Sequence, residues 1–202
     1  MLIEAEMHNG FPSSLGYITL IKYYPVRFQV SEVYQSNRQA VYDFKAGRQS
    51  QEMISYFKSI ITTLTEIREG VTCVCPIPAS TGEKTDVRFR AFCQELCSGT
   101  SVLNGHYFLR PLIDRAEIHR GGQRNYHRVL DCIWFSNNIQ GKNIVLIDDV
   151  VTTGRSFRII AQKLVELGAT SVNGIMLAKT HWLQEDVADD RTQVNIADDL
   201  PF

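Results

Sequence analysis

The chain has 202 residues, 44% of them hydrophobic and 21% charged, with 21 basic against 22 acidic side chains and a formal net charge of −1. These figures suit one globular domain with a full core; without an excess of basic charge, they do not call for nucleic acid or a membrane surface as partner. No apolar run approaches the ~18–20 residues of a membrane helix, and the opening M-L-I-E-A-E-M-H lacks the basic start and apolar core of a secretory signal, so a cytosolic protein is expected. Cysteines stand at 73, 75, 93, 97 and 132, an odd number without a C-x-x-C spacing. That argues against a disulfide framework and a zinc site, and Cys73, Cys75, Cys93 and Cys97 read instead as small buried apolar residues.

Residues 1 to 12 carry little pattern. Tyr17 to Val30 is rich in β-branched and aromatic residues and is broken by Pro25, which predicts one or two antiparallel or edge strands. A short helix is predicted from Asn37 to about Phe44. Tyr42-Asp43-Phe44-Lys45 before Gly47-Arg48 reads as a basic contact or as a solvated helix end. A longer helix follows from about Ser50 to Arg68, with Met53, Ile54, Phe57, Ile60, Ile61 and Leu64 on one stripe and Gly70 closing it. Val71 to Cys75 is a buried strand that runs into Pro76-Ile77-Pro78-Ala79-Ser80-Thr81-Gly82. Ligands of open α/β sheets bind beyond the carboxyl ends of strands. The loop from Pro78 to Gly82 is therefore either a seat for an anionic group, with Lys84, Arg88 or Arg90 to supply charge, or an ordinary strand-to-helix connection.

Asp86 to Ser98 reads as an amphipathic helix with Phe89, Phe92, Cys93 and Leu96 inward, and Tyr107 to Leu109 as a short strand. Arg110 to Arg128 is long, basic and poor in apolar residues. It holds Arg115, Arg120, Arg124, His119, His127 and the hinge-like Gly121-Gly122, and loops of this length inside a domain are usually mobile and functional. A histidine on such a loop is more often a solvated side chain than an acid or base. Cys132 to Phe135 and Ser171 to Leu177 are further strands. The tail from Gln184 is acidic and reads as partly disordered or as an extra edge element.

The most informative stretch is Ile144 to Ser156, I-V-L-I-D-D-V-V-T-T-G-R-S. Ile144 to Ile147 form a strand buried on both faces. Asp148 and Asp149 follow, then the loop Thr152-Thr153-Gly154-Arg155-Ser156. Phe157, Ile160, Ala161, Leu164 and Leu167 then fall at helical spacing, with Gly168 suited to the position past the helix end. A helix N-terminus offers unpaired N–H groups and the positive end of a dipole. Thr152, Thr153 and Ser156 add hydroxyls, and Gly154 permits close backbone approach, so a phosphate suits the loop. The carboxylates suit sugar hydroxyls or a hydrated Mg²⁺. A ribose 5-phosphate satisfies all of these groups together. The alternatives are a strand and turn with exposed aspartates, or a phosphate loop for another nucleotide. A nucleoside-triphosphate P-loop is disfavoured, since G-x-x-x-x-G-K-[ST] does not occur.

The same stretch resembles the 5-phosphoribosyl-1-pyrophosphate (PRPP) motif of type I phosphoribosyltransferases. Pro76-Ile77-Pro78, Arg90-Ala91-Phe92-Cys93-Gln94, the basic loop to Arg124-Asn125, and Asp148-Asp149-Val150-Val151-Thr152-Thr153-Gly154 together resemble the ComF family, named for a role in DNA uptake. Phe44-Lys45 before Gly47-Arg48 also resembles that family's lysine-containing segment. Ala91 and Cys93 depart from the family's usual Gly and Asn, and the family's N-terminal paired-cysteine module is absent from this sequence. The resemblance implies an α/β fold with a mostly parallel, Rossmann-like sheet flanked by helices. It also implies one domain over 1–202, with a small β-containing hood at 1–45, a PRPP-binding core at 70–180 and the acidic tail at 184–202.

By the same resemblance Asp148 and Asp149 take the ribose hydroxyls, and Thr152, Thr153, Gly154, Arg155 and Ser156 wrap the 5-phosphate. Pro78, Ala79, Ser80, Thr81 and Gly82 face the pyrophosphate, and Arg115, Arg120, Arg124 and Arg128 belong to a lid. Mg²⁺ is held mainly through substrate, with Asp148 and Asp149 as its protein ligands, if any. The implied activity is transfer of a phosphoribosyl group to an unidentified nitrogenous acceptor by a homodimer. A non-catalytic PRPP or nucleotide sensor, and a DNA-uptake protein, are the other functions such a chain serves.

Overall fold

The computed structural model describes residues 5–9, 15–64, 71–112 and 126–182. In chain order the elements are β1 (Glu6–Asn9), β2 (Leu15–Tyr23), α1 (Glu32–Lys45), α2 (Gln51–Leu64), β3 (Thr72–Pro76), α3 (Gly82–Cys97), β4 (Leu103–Asn104) and β5 (Leu109–Pro111). There follow a 3₁₀ helix (Tyr126–Cys132), β6 (Ile133–Phe135), a second 3₁₀ turn (Asn137–Ile139), β7 (Asn143–Val151), α4 (Arg155–Glu166) and β8 (Ser171–Thr180). The main sheet has six strands in the order β1-β2-β8-β7-β3-β4, and β5 and β6 form a separate ribbon. β1 pairs antiparallel with β2, while β2, β8, β7, β3 and β4 run parallel. This is the α/β architecture with a mostly parallel sheet that the sequence predicts.

β7 shows why a continuous apolar run belongs at the centre of such a sheet. Val145 and Ile147 pack into the core under α1, α2 and α3, and Ile144 and Leu146 into the core under α4. The first core is aromatic: the Phe44 ring lies 4.9 Å from Phe92 and 5.7 Å from Phe89, and Phe57 lies 5.1 Å from Phe92. The second is built by the α4 stripe Phe157, Ile160, Ala161 and Leu164. The thiols are divided between them, with Cys93 in the first core and Cys73 and Cys75 in the second. All five cysteines are free, and only Cys97 is not fully buried.

Several boundaries differ from expectation. The Tyr17–Val30 stretch, read as antiparallel or edge strands, yields β2, which runs parallel to β8 from Leu15–Val172 to Tyr23–Thr180. β1 lies outside it, so β2 is interior to the sheet. Alternation within a strand specifies which face is buried; the direction of its partner is set by the sheet. β2 also lies within the stretch read as a hood. The helix predicted to begin at Asn37 begins at Glu32, and Asn37 itself is buried, donating from Nδ2 to the Lys22 carbonyl at 3.1 Å. α3 begins at Gly82 instead of Asp86 because Thr81 caps it, its Oγ1 accepting the Lys84 N–H at 3.0 Å. The short strand read at Tyr107–Leu109 lies at Leu109–Pro111. No helix among the described residues is long and apolar enough to cross a membrane.

Candidate active site

The carboxyl ends of β2, β8, β7 and β3 lie side by side, at Tyr23, Thr180, Val151 and Pro76. Strand alternation gives the adjacent acids different surroundings. Asp149 shares the face of Val145 and Ile147, toward α1 and α3, and is only 4% exposed. There it meets the Arg88 guanidinium, through Nη1 and Oδ2, and lies 4.0 Å from Lys45 Nζ. Its Oδ1 accepts the Val150 N–H at 2.6 Å. Asp148, half-buried, accepts the Asp149 N–H on Oδ1 at 2.8 Å. Burial, and then the charge of Asp149, push the Asp148 carboxyl up to about 7, against the opposing pull of Arg88 and Lys45.

A specific piece of chain brings Lys45 and Arg88 to one carboxylate. Lys45 ends α1, and the turn after it passes Gly47 at φ +74°, where a β-carbon would run into the Val87 carbonyl of α3. Gln49 then clamps the two helices, its Nε2 donating to Phe44 O at 3.0 Å and to Arg88 O at 2.8 Å. Close approach at Gly47 and the Gln49 clamp thus hold the end of α1 against the second turn of α3, above β7.

Thr152 to Ser156 turn from β7 into α4. Gly154 sits at the N-cap with φ +71°, a left-handed conformation that favours glycine. A β-carbon there would also stand 2.7 Å from the Tyr17 hydroxyl. Thr152 Oγ1 is 3.3 Å from Thr180 Oγ1, which ties the loop to β8. Thr153 and Arg155 are exposed and Ser156 is half-buried. The strand, acid pair, hydroxyl loop and helix are therefore consecutive in space as in sequence.

The loop Pro78–Gly82 lies beside them. The N–H of Ile77 donates to Ile147 O at 2.9 Å, fastening the loop's entry to β7. The Ala79 N–H donates to Thr85 Oγ1 at 3.0 Å, and that hydroxyl donates to Thr81 O at 2.7 Å. Pro78 and Ala79 are buried, and Ser80, Thr81 and Gly82 are partly open. Of the nearby cations, Arg90 is bonded to Asp86 at 2.5 Å and Lys84 is exposed, while Arg88 turns to Asp149. Asp86 also binds Arg110 Nη1 at 2.6 Å and His106 Nε2 at 2.9 Å. Burial works against its charge, but the Arg110 and His106 bonds prevail and bring its carboxyl down to about 2. Arg115, Arg120 and Arg124, His119 and the Gly121-Gly122 hinge lie outside the described residues, as does the tail from Gln184. Arg128 lies on the 3₁₀ helix Tyr126–Cys132.

No family model matches the chain, and no curated protein matches it. Among solved structures it is similar to an HPRT asparagine mutant made in the analysis of an invariant aspartic acid, at 14% identity and a TM-score of 0.43, covering 71% of this chain and 67% of that one. It is also similar to the hypoxanthine phosphoribosyltransferase of Trypanosoma cruzi, at 15% identity and 0.43, covering 71% and 66%. A hypoxanthine-guanine-xanthine phosphoribosyltransferase follows at 14% and 0.36, covering 69% and 64%. What the site can do is set by its own residues.

Those residues include a pairing with no signal in the sequence. Lys45 and Arg88 each read as a source of positive charge, but nothing in their spacing joins them to Asp149. The signal for the Asp86 cluster is likewise dispersed, because its partners come from α3, from His106 ahead of β5 and from Arg110 within β5.

Proposed function

We propose that the protein binds PRPP and transfers its phosphoribosyl group to a nitrogenous acceptor, releasing pyrophosphate. The observation that carries this reading is the continuity of Asp148-Asp149 at the carboxyl end of a central parallel strand with a hydroxyl loop that turns at a left-handed Gly154 into a helix N-terminus. That arrangement supplies sugar-hydroxyl acceptors and phosphate donors within one turn of chain.

In this reading the 5-phosphate lies in the loop Thr152–Ser156, and the ribose hydroxyls face the acid pair. The bond from C1 to the pyrophosphate oxygen breaks and takes its electron pair to the leaving group. The acceptor nitrogen forms the new bond to C1 and gives up its proton to solvent. The carboxylate charge favours the cationic ring that develops, and positive side chains at the leaving group favour its departure. No protein nucleophile takes part.

Among the described residues no group of three His, Cys, Asp or Glu is placed to cage a metal. Asp149 already faces two cations, whereas Asp148 has no ion pair within 4 Å among the described residues. Asp148 is therefore the carboxylate that fits a Mg²⁺ carried in largely by the substrate. When bound, such an ion neutralises pyrophosphate charge.

The test is calorimetric titration of PRPP, with and without Mg²⁺, against wild type and the Asp148→Asn/Asp149→Asn double variant. Binding that Mg²⁺ strengthens and the variant loses supports the reading, and a screen of bases and amines for pyrophosphate release then finds the acceptor. A folded wild-type protein that does not bind PRPP refutes it.

A further inference from the structure

Two buried groups at the site are poorly satisfied. Arg88 Nε is buried without a hydrogen-bond partner among the described residues, and Asp149 Oδ2 meets Arg88 as an ion pair without a well-formed hydrogen bond. Buried polar groups in folded proteins are nearly always bonded, so each exception asks for a reason. Lys45 and Arg88 both pair with Asp149, and the neighbouring Asp148, though within their electrostatic reach, makes no ion pair with either. A guanidinium with an unused donor, beside an ammonium, matches an oxygen-rich anion that takes paired hydrogen bonds.

Elimination among the cations points the same way. Arg90 and Arg110 are committed to Asp86, and the Arg110 guanidinium also lies 5.0 Å from the Tyr107 ring. Lys84 is exposed on the first turn of α3. Arg88 and Lys45 are 15% and 22% exposed, sheltered yet reachable, and they lie over the end of β7 next to the entry of the Pro78–Gly82 loop.

We propose that Arg88 and Lys45 are the residues that grip the diphosphate of the substrate, and that Asp149 is the counter-anion which the diphosphate displaces from them. Binding is then an exchange. The two cations pass from Asp149 to the diphosphate, and Asp149 is released to the ribose hydroxyls. A sugar phosphate without a diphosphate leaves the Asp149 pairing intact. The inference rests on the ribose-phosphate reading above, and it assigns to Lys45 and Arg88 together a leaving-group role that the sequence divides between the basic loop and Lys84, Arg88 or Arg90.

The exchange predicts that only the diphosphate half of the substrate responds to changes in the pairing. Inorganic pyrophosphate and ribose 5-phosphate are titrated separately into wild type, Arg88→Gln, Lys45→Gln and Asp149→Asn. Arg88→Gln should weaken pyrophosphate about tenfold or more and leave ribose 5-phosphate within about twofold. Lys45→Gln should act in the same direction by less. Asp149→Asn should tighten pyrophosphate and leave ribose 5-phosphate within about twofold.

Removing Arg88 leaves a buried carboxylate unpaired and can prevent folding. Lys45→Gln, at the longer contact, and Arg88→Lys, which keeps the charge but loses the fork, therefore carry the test alongside thermal melts. Equal weakening of both ligands by the cation variants, or weaker pyrophosphate binding in Asp149→Asn, overturns the exchange. Wild type that binds ribose 5-phosphate but not pyrophosphate overturns this inference alone. Wild type that binds neither overturns the ribose-phosphate reading and the exchange with it.

Discussion

Asp86 holds three partners at one carboxylate: Arg90 at 2.5 Å, Arg110 at 2.6 Å and His106 at 2.9 Å. Its folded-state carboxyl, at about 2, lies below its ordinary value of 3.8. A depressed acid stabilises the fold above its unfolded pKa, and that contribution is lost as pH falls through the folded value. Asp86→Asn should therefore cost about 1–2 kcal/mol at pH 7, a figure reduced for the partial exposure of the cluster. The difference from wild type should shrink between about pH 4 and pH 2, as urea denaturation across that range would show. A variant whose penalty is the same at both ends would mean that packing, not charge, is what Asp86 provides. Residue chemistry was legible from spacing where the partners are neighbours in the chain. Asp148, Asp149, Thr152 and Gly154 form one short run, and the structure keeps them together. Arg88 and Asp149 come from different elements, α3 and β7, and only the tertiary fold introduces them.

Elements meet where backbones come close. The end of α1 reaches α3 because Gly47 has no side chain to hold it off, and Gln49 secures the junction. Gly47→Ala adds a β-carbon in a left-handed conformation and against a carbonyl, so a loss on the order of 2 kcal/mol is expected. Gln49→Ala removes only the clamp and should cost about 1 kcal/mol. Chemical denaturation of both variants orders the two effects; a Gly47→Ala protein as stable as wild type would mean the junction tolerates a wider gap. At this scale helices were readable from their apolar stripes, as in α4, and their ends were less so. The early start of α3 follows from a cap at Thr81, whose role depends on the Lys84 N–H turning toward it. The orientation of β2 was hidden because its residues suit either direction of pairing, and β8 decides it.

At the scale of the molecule, one sheet divides two cores, and Asp149 of the β7 acid pair faces the α1–α3 side. Phe44 shows how the aromatic core bears on the site, since it packs on Phe57, Phe89 and Phe92 and is followed in the chain by Lys45. Phe44→Ala should cost about 3–5 kcal/mol, visible as a lowered thermal midpoint. Phe44→Leu should retain most of that stability. If Phe44→Ala melts with wild type, the core closes over the gap and α1 is not anchored there. The layered plan was readable from the sequence, because runs such as Ile144–Ile147 can only lie between two apolar layers. The allocation of side chains to one layer or the other was not, since it depends on register. That allocation also distributes the thiols. Cys93 lies on the α1–α3 side and Cys73 and Cys75 on the α4 side, all with their access closed by burial, which also pushes the ionisation of Cys75 and Cys93 upward. A thiol reagent in water can reach them only when the layer above lifts away. The protein thus contains two internal clocks, and the labelling rates of Cys93 and of Cys73 and Cys75 time how often each half of the molecule opens.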